Sequence, residues 1–149
     1  MNIPNTYIEW VDAFDYISNN PRNDSYIDML NQGSLDYDEL LIARLRNEML
    51  KCAFGRLERE VNKFSHSLDQ TTEYNDFSLK LGELKKEFQY AKRLITINIF
   101  PDNIKKEALD VLKSNADKVQ RSMEEHTKLI DKTGAINSIV RNNPINKFD

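Results

Sequence analysis

From Tyr74 onward the apolar positions are Tyr74, Phe77, Leu81, Leu84, Phe88, Ala91 and Ile95. Their spacing alternates between three and four, so they line one side of a helix as an unbroken seam. Such a seam is stable in water only when buried, and a helix buries it most readily against other helices. Two more segments read the same way. In one, Ile42, Leu45, Met49 and Cys52 lead into Ala53, Leu57, Val61, Phe64 and Leu68, with the register slipping by one near Gly55. In the other, Ile104, Ala108, Leu112, Ala116, Val119, Met123 and Ile130 continue a face for about eight turns.

The punctuation between these seams sets the expected boundaries. Thr6 and Glu9 have capping-box spacing and should open a first helix, with Tyr7, Trp10, Val11, Phe14 and Ile17 on its apolar face and Asn19, Asn20 and Pro21 ending it. A short second helix is expected over 24–31, with Gly33 suited to a left-handed C-terminal turn. Asp36 and Glu39 repeat the capping spacing before a long third helix that runs to about Leu68. Gln70 to Asn75 should form the turn to a fourth, which stops before Pro101. The fifth starts at Pro101 or Asp102 and ends at Thr133 and Gly134; 135–141 is expected as a short sixth helix, and 142–149 as a frayed polar tail.

The predicted class is therefore all-α. The expected architecture is an elongated antiparallel bundle of three long helices flanked by short N- and C-terminal helices, with helix over more than about 65% of the chain. The expected organisation is one helical domain over 1–149: short acidic-aromatic helices in 1–35, the long-helix bundle in 36–132, and a short helix and tail in 133–149. Four glycines and four prolines are too few for a turn-rich sheet protein.

Charge changes the picture more than composition does. Residues 1–40 hold eight acids and one base, Arg22, a balance of -7 in a chain whose total is -3. Tyr7, Trp10, Phe14, Tyr16, Tyr26 and Tyr37 are interleaved with those acids. Two readings follow. The acidic arm packs on the basic side of its own bundle, or its acids rim aromatic contacts for a basic partner, with Glu9, Asp12, Asp15, Tyr16, Asp24 and Asp28 as the docking residues. The basic side is offered by Arg44, Arg46, Arg56, Arg59 and Lys63 on the third helix, with Lys85, Lys86, Lys92 and Arg93 on the fourth; neighbouring glutamates dilute their field, so a nucleic-acid footprint is disfavoured. Trp10 shares a face with Phe14 and Ile17 and is expected in the core. Phe54, Leu79, Tyr90 and Leu94 lie off or beside the seams, and as leftover apolar surface they predict a homodimer.

Catalytic chemistry finds no foothold in the sequence. The Glu-x-x-His pairs of a di-iron bundle are missing, since Met123 precedes His126 by three and Lys63 precedes His66 by three. One cysteine and two separated histidines do not make a zinc site. The glycines are scattered singly, so no phosphate loop occurs, and no nucleophile elbow is present. No cofactor, metal or catalytic residue is expected. Cys52, alone and on an apolar face, reads as a buried thiol in a reducing cytoplasm. No segment has the length and apolarity of a membrane span or the pattern of a signal peptide. The expected function is non-enzymatic binding of another protein, of the inhibitor, immunity, antitoxin or regulatory adaptor type. A helix-turn-helix regulator built around 30–45 and a coiled-coil-type structural oligomer are the alternatives. Wealth in Asn, Ile and Lys points to an AT-rich microbial or phage source.

Overall fold

The computed structural model describes residues 2–36, 38–68, 74–130 and 134–148. It is 78% helical, with six helices and no strand among the described residues. They are α1 (Tyr7–Asn19), α2 (Asp24–Leu30), α3 (Glu39–Leu68), α4 (Tyr74–Ile95), α5 (Asp102–Ile130) and α6 (Ala135–Asn142). The fold is a helical bundle with long α3, α4 and α5 and short flanking helices, in the class that the periodicity dictates. The chain groups into two compact units. The first comprises Met1–Leu57 with Tyr90–Leu109, and the second comprises Glu58–Gln89 with Asp110–Asp149.

In the first unit, α1 begins where the sequence places it. The backbone N–H of Glu9 donates to Thr6 Oγ1 at 3.3 Å, and the Thr6 hydroxyl and Asn5 N–H donate to Glu9 Oε1 at 3.0 and 3.3 Å. Asn23 caps α2 by accepting from Tyr26 N–H. The start of α3 differs from expectation. Asp38, not Asp36, caps it, accepting from Leu40 N–H at 2.9 Å and Leu41 N–H at 3.2 Å. The core of this unit is Trp10, Phe14, Ile17, Ile27, Leu30, Leu45, Met49, Leu94, Ile95, Ile97 and Phe100, all buried. Cys52 is buried there too.

Helix α4 ends at Ile95, sooner than Pro101 alone requires. The Thr96 hydroxyl donates back to Lys92 O at 2.7 Å, and Asn98 N–H leaves the helical ladder to donate to Asn31 Oδ1 at 3.0 Å. Tyr90 and Leu94 are buried and Phe54 is half-buried, so most of the surface that predicts a dimer from sequence is core. Leu79 alone of that group is exposed.

In the second unit, Phe77, Leu81, Leu84 and Phe88 of α4 are buried with Leu112, Ala116 and Met123 of α5 and Phe64 of α3. Phe64 and Phe77 meet with ring centroids 5.9 Å apart. The turn expected over 70–75 lies mostly outside the described residues, and Asn75 is already helical. Gly134 adopts φ 77, a left-handed conformation that glycine takes without strain, and starts α6 there.

The tail contradicts the frayed expectation. Ile145 and Phe148 are buried, Phe148 lies 5.9 Å from the Phe88 ring, and Ile145 N–H donates to Gln120 Oε1 at 2.9 Å. Gln120 is itself buried, and its amide donates to Val140 O and Glu124 Oε1, both at 3.1 Å. One side chain thus holds α5, the end of α6 and the tail together.

Candidate functional site

The acidic-aromatic segment is built around Trp10. Its ring is fully buried, stacks at a tilt on Phe14 with centroids 6.1 Å apart, and donates Nε1–H to the Ser34 carbonyl at 2.9 Å. Ser34 in turn donates N–H to Pro4 O and its hydroxyl to Asn5 Oδ1. Gly33 sits at the crossing of these strands of contact. A Cβ there would lie 2.7 Å from both Pro4 O and Trp10 Cζ2. Its φ is not positive, since Gly134 is the one positive-φ residue among those described. The glycine is therefore needed for close approach and not for the left-handed turn expected from sequence.

Two arginines fasten the same segment. Arg56 is only 7% exposed. Its Nη2 donates to Asn20 O at 3.2 Å and its guanidinium stands 4.9 Å from the Tyr90 ring centroid. It is a buried tie and does not belong to the basic surface proposed with Arg44, Arg59 and Lys63. Arg93 on α4 forks onto α2, donating to Asp24 Oδ1 at 3.0 Å and to Asp28 Oδ1. The Arg93 guanidinium is held above its ordinary value; burial opposes this, but its hydrogen bonds and charge pairing with Asp28 and Asp24 outweigh it. Burial raises the phenols of Tyr26 and Tyr90; at Tyr26 the neighbouring Tyr16 adds to the effect.

These contacts divide the predicted docking residues. Glu9 completes the α1 cap, and Asp24 and Asp28 are matched by Arg93. What faces water on α1 is Ile8, Asp12, Asp15, Tyr16 and Asn19. Ile8 is 71% exposed and Tyr16 37%, with the Tyr16 ring leaning on Tyr26 at 5.0 Å between centroids. Positions 8, 12 and 15 are spaced four and three apart, so they share one helical face. No cation among the described residues pairs with Asp12 or Asp15. Of the basic set, Arg44, Arg59 and Lys63 are exposed, and Lys63 pairs with Glu60 at 3.3 Å.

The sequence reading places Arg56 on the surface and passes over Gln120 and Thr127, although the burial of all three could have been found. Arg56 follows Met49 and Cys52 at seam spacing, and Gln120 and Thr127 fall on the seam of Ala116 and Met123. A polar residue on an apolar stripe must be hydrogen-bonded, and Thr127 meets this by donating to Glu124 O or Asn137 Oδ1, each at 3.2 Å.

Among the described residues no group of His, Cys, Asp and Glu could hold a metal ion, and no helix is long and apolar enough to cross a membrane. Helix α2 ends at Leu30 and α3 begins at Glu39, a longer connection than the roughly 3–4-residue turn of a helix-turn-helix. In comparisons with known proteins, the chain matches no family model, no curated protein and no solved structure.

Proposed function

We propose that the protein acts by binding another protein, without catalysis of its own, and that the outer face of α1 is the docking surface. The observation that carries this reading is the pairing of a largely exposed Ile8 with Asp12 and Asp15 on one face of a helix whose opposite face is fixed in the core by Trp10 and Phe14. An exposed aliphatic residue supplies burial on binding, and unmatched carboxylates steer a basic partner onto it. The rigid anchoring of α1 keeps the ordering cost of docking low. Inhibitors, immunity factors and adaptors work in this way, in a reducing cytoplasm that suits the buried Cys52.

Affinity capture from the native lysate, followed by mass spectrometry, tests the reading when wild type is run beside Asp12→Asn/Asp15→Asn. The double variant should retain its circular dichroism spectrum and lose the protein that wild type recovers. Equal recovery by both chains would overturn the assignment of α1.

A further inference from the structure

We propose that the α1 face docks on the α4 groove of a second copy of this chain. This rests on the reading of α1 as a docking surface, and it names the partner. In the second unit, Ser78, Gly82 and Lys85 lie at helical spacing on α4 and line a groove of ≈ 190 Å³ with Leu81 and, from α6, Ile139 and Asn143. Beside it Leu79 is 71% exposed. Gly82 stands within α4, where glycine weakens a helix, yet a Cβ at Gly82 would meet nothing within 4 Å. Among the described residues no contact calls for a glycine there. A helix laid across the groove would, because a missing Cβ lets two backbones approach closely.

Charge and spacing name the helix that fits. On α1 an exposed Ile8 is followed four residues later by Asp12 and seven later by Asp15. On α4, Gly82 is followed four residues later by Lys86 and seven later by Gln89, both exposed, with Lys85 alongside. With the two helices parallel, Ile8 enters over Gly82 against Leu79, Asp12 reaches Lys86 and Lys85, and Asp15 meets the Gln89 amide. Each carboxylate lies about 6–10 Å along the axis from the apolar anchor, as do its counterparts. Lys86 now pairs with Glu83 at 3.4 Å, with both side chains 60% exposed, a contact weak enough to exchange. Two such contacts made reciprocally close a dimer, and one made in a single direction grows a chain.

Sedimentation velocity of the full chain from micromolar to submillimolar concentration tests this. Wild type should sediment above the protomer mass of 17.5 kDa. Asp12→Lys/Asp15→Lys and Lys85→Glu/Lys86→Glu, each with an unchanged circular dichroism spectrum, should each weaken self-association by about tenfold or more. Mixing the two charge-reversed variants should restore it, because each then offers the face the other needs. A wild-type chain that stays at 17.5 kDa throughout overturns the proposal, as does a mixture that associates no better than its parts. If the chain is monomeric while Asp12 and Asp15 still govern capture of another protein, only the second-copy assignment falls; if they do not, the α1 reading falls with it.

Discussion

At the scale of single residues, the clearest demands come from Gly33 and Trp10. Adding a methyl group at Gly33 pushes it against Pro4 O, a backbone atom, and Trp10 Cζ2, a ring that Phe14 holds in place. Gly33→Ala should therefore destabilise by about 1–3 kcal/mol, the usual cost of overpacking. Trp10→Ala should cost about 3–5 kcal/mol through the cavity it leaves. Thermal or urea unfolding followed by circular dichroism measures both. Unchanged stability in either variant would mean that the Pro4–Trp10–Ser34 junction does not form in solution. The buried phenols set a pH limit. The folded-state values of Tyr26 and Tyr90 are raised, so each binds its proton more tightly folded than unfolded. Their contribution is complete below the ordinary phenol value of 10.0 and is lost as pH rises through the raised folded values. Stability should fall in alkali above that value, and Tyr26→Phe should make the fall shallower; an identical slope in the variant would contradict the burial of Tyr26.

At the scale of elements, what was legible in the sequence depended on period. The α4 seam could be read because Phe77, Leu81, Leu84, Phe88, Ala91 and Ile95 repeat without interruption, and each is buried. The α1 cap could be read because Thr6 and Glu9 stand alone as candidates. The α3 cap could not, because Asp36, Asp38 and Glu39 crowd the same turn and only the geometry selects Asp38. The tail was illegible for a different reason. Ile145 and Phe148 are single apolar residues in a polar stretch, with no period to announce them, and their burial depends on a distant glutamine. Gln120→Leu should separate the two kinds of contribution. It keeps the volume but leaves Val140 O and Ile145 N–H without a partner, at about 1–3 kcal/mol for each buried group. Hydrogen exchange should show Ile145 N–H losing protection first. Full protection in the variant would mean that Gln120 does not hold the tail.

For the whole molecule, the acidic character of residues 1–40 resolves into acids of different kinds. Glu9 serves a cap, Asp24 and Asp28 answer Arg93, and Asp12 and Asp15 face water. Internal matching on α2 thus accounts for part of the charge asymmetry, and Asp12 and Asp15 on α1 lie outside it. The sequence could not sort them, because Arg93 lies far along the chain from Asp24 and Asp28. Replacing Asp28 would loosen α2, so it is a poor probe of docking. The central claim, that α1 docks through Ile8 with Asp12 and Asp15, is tested most directly by stopped-flow association with the captured partner across a range of ionic strength. Wild type should associate more slowly as salt rises, and Asp12→Asn/Asp15→Asn should be slower at low salt with a flatter dependence. An association rate and a salt dependence unaltered in the double variant would contradict the claim.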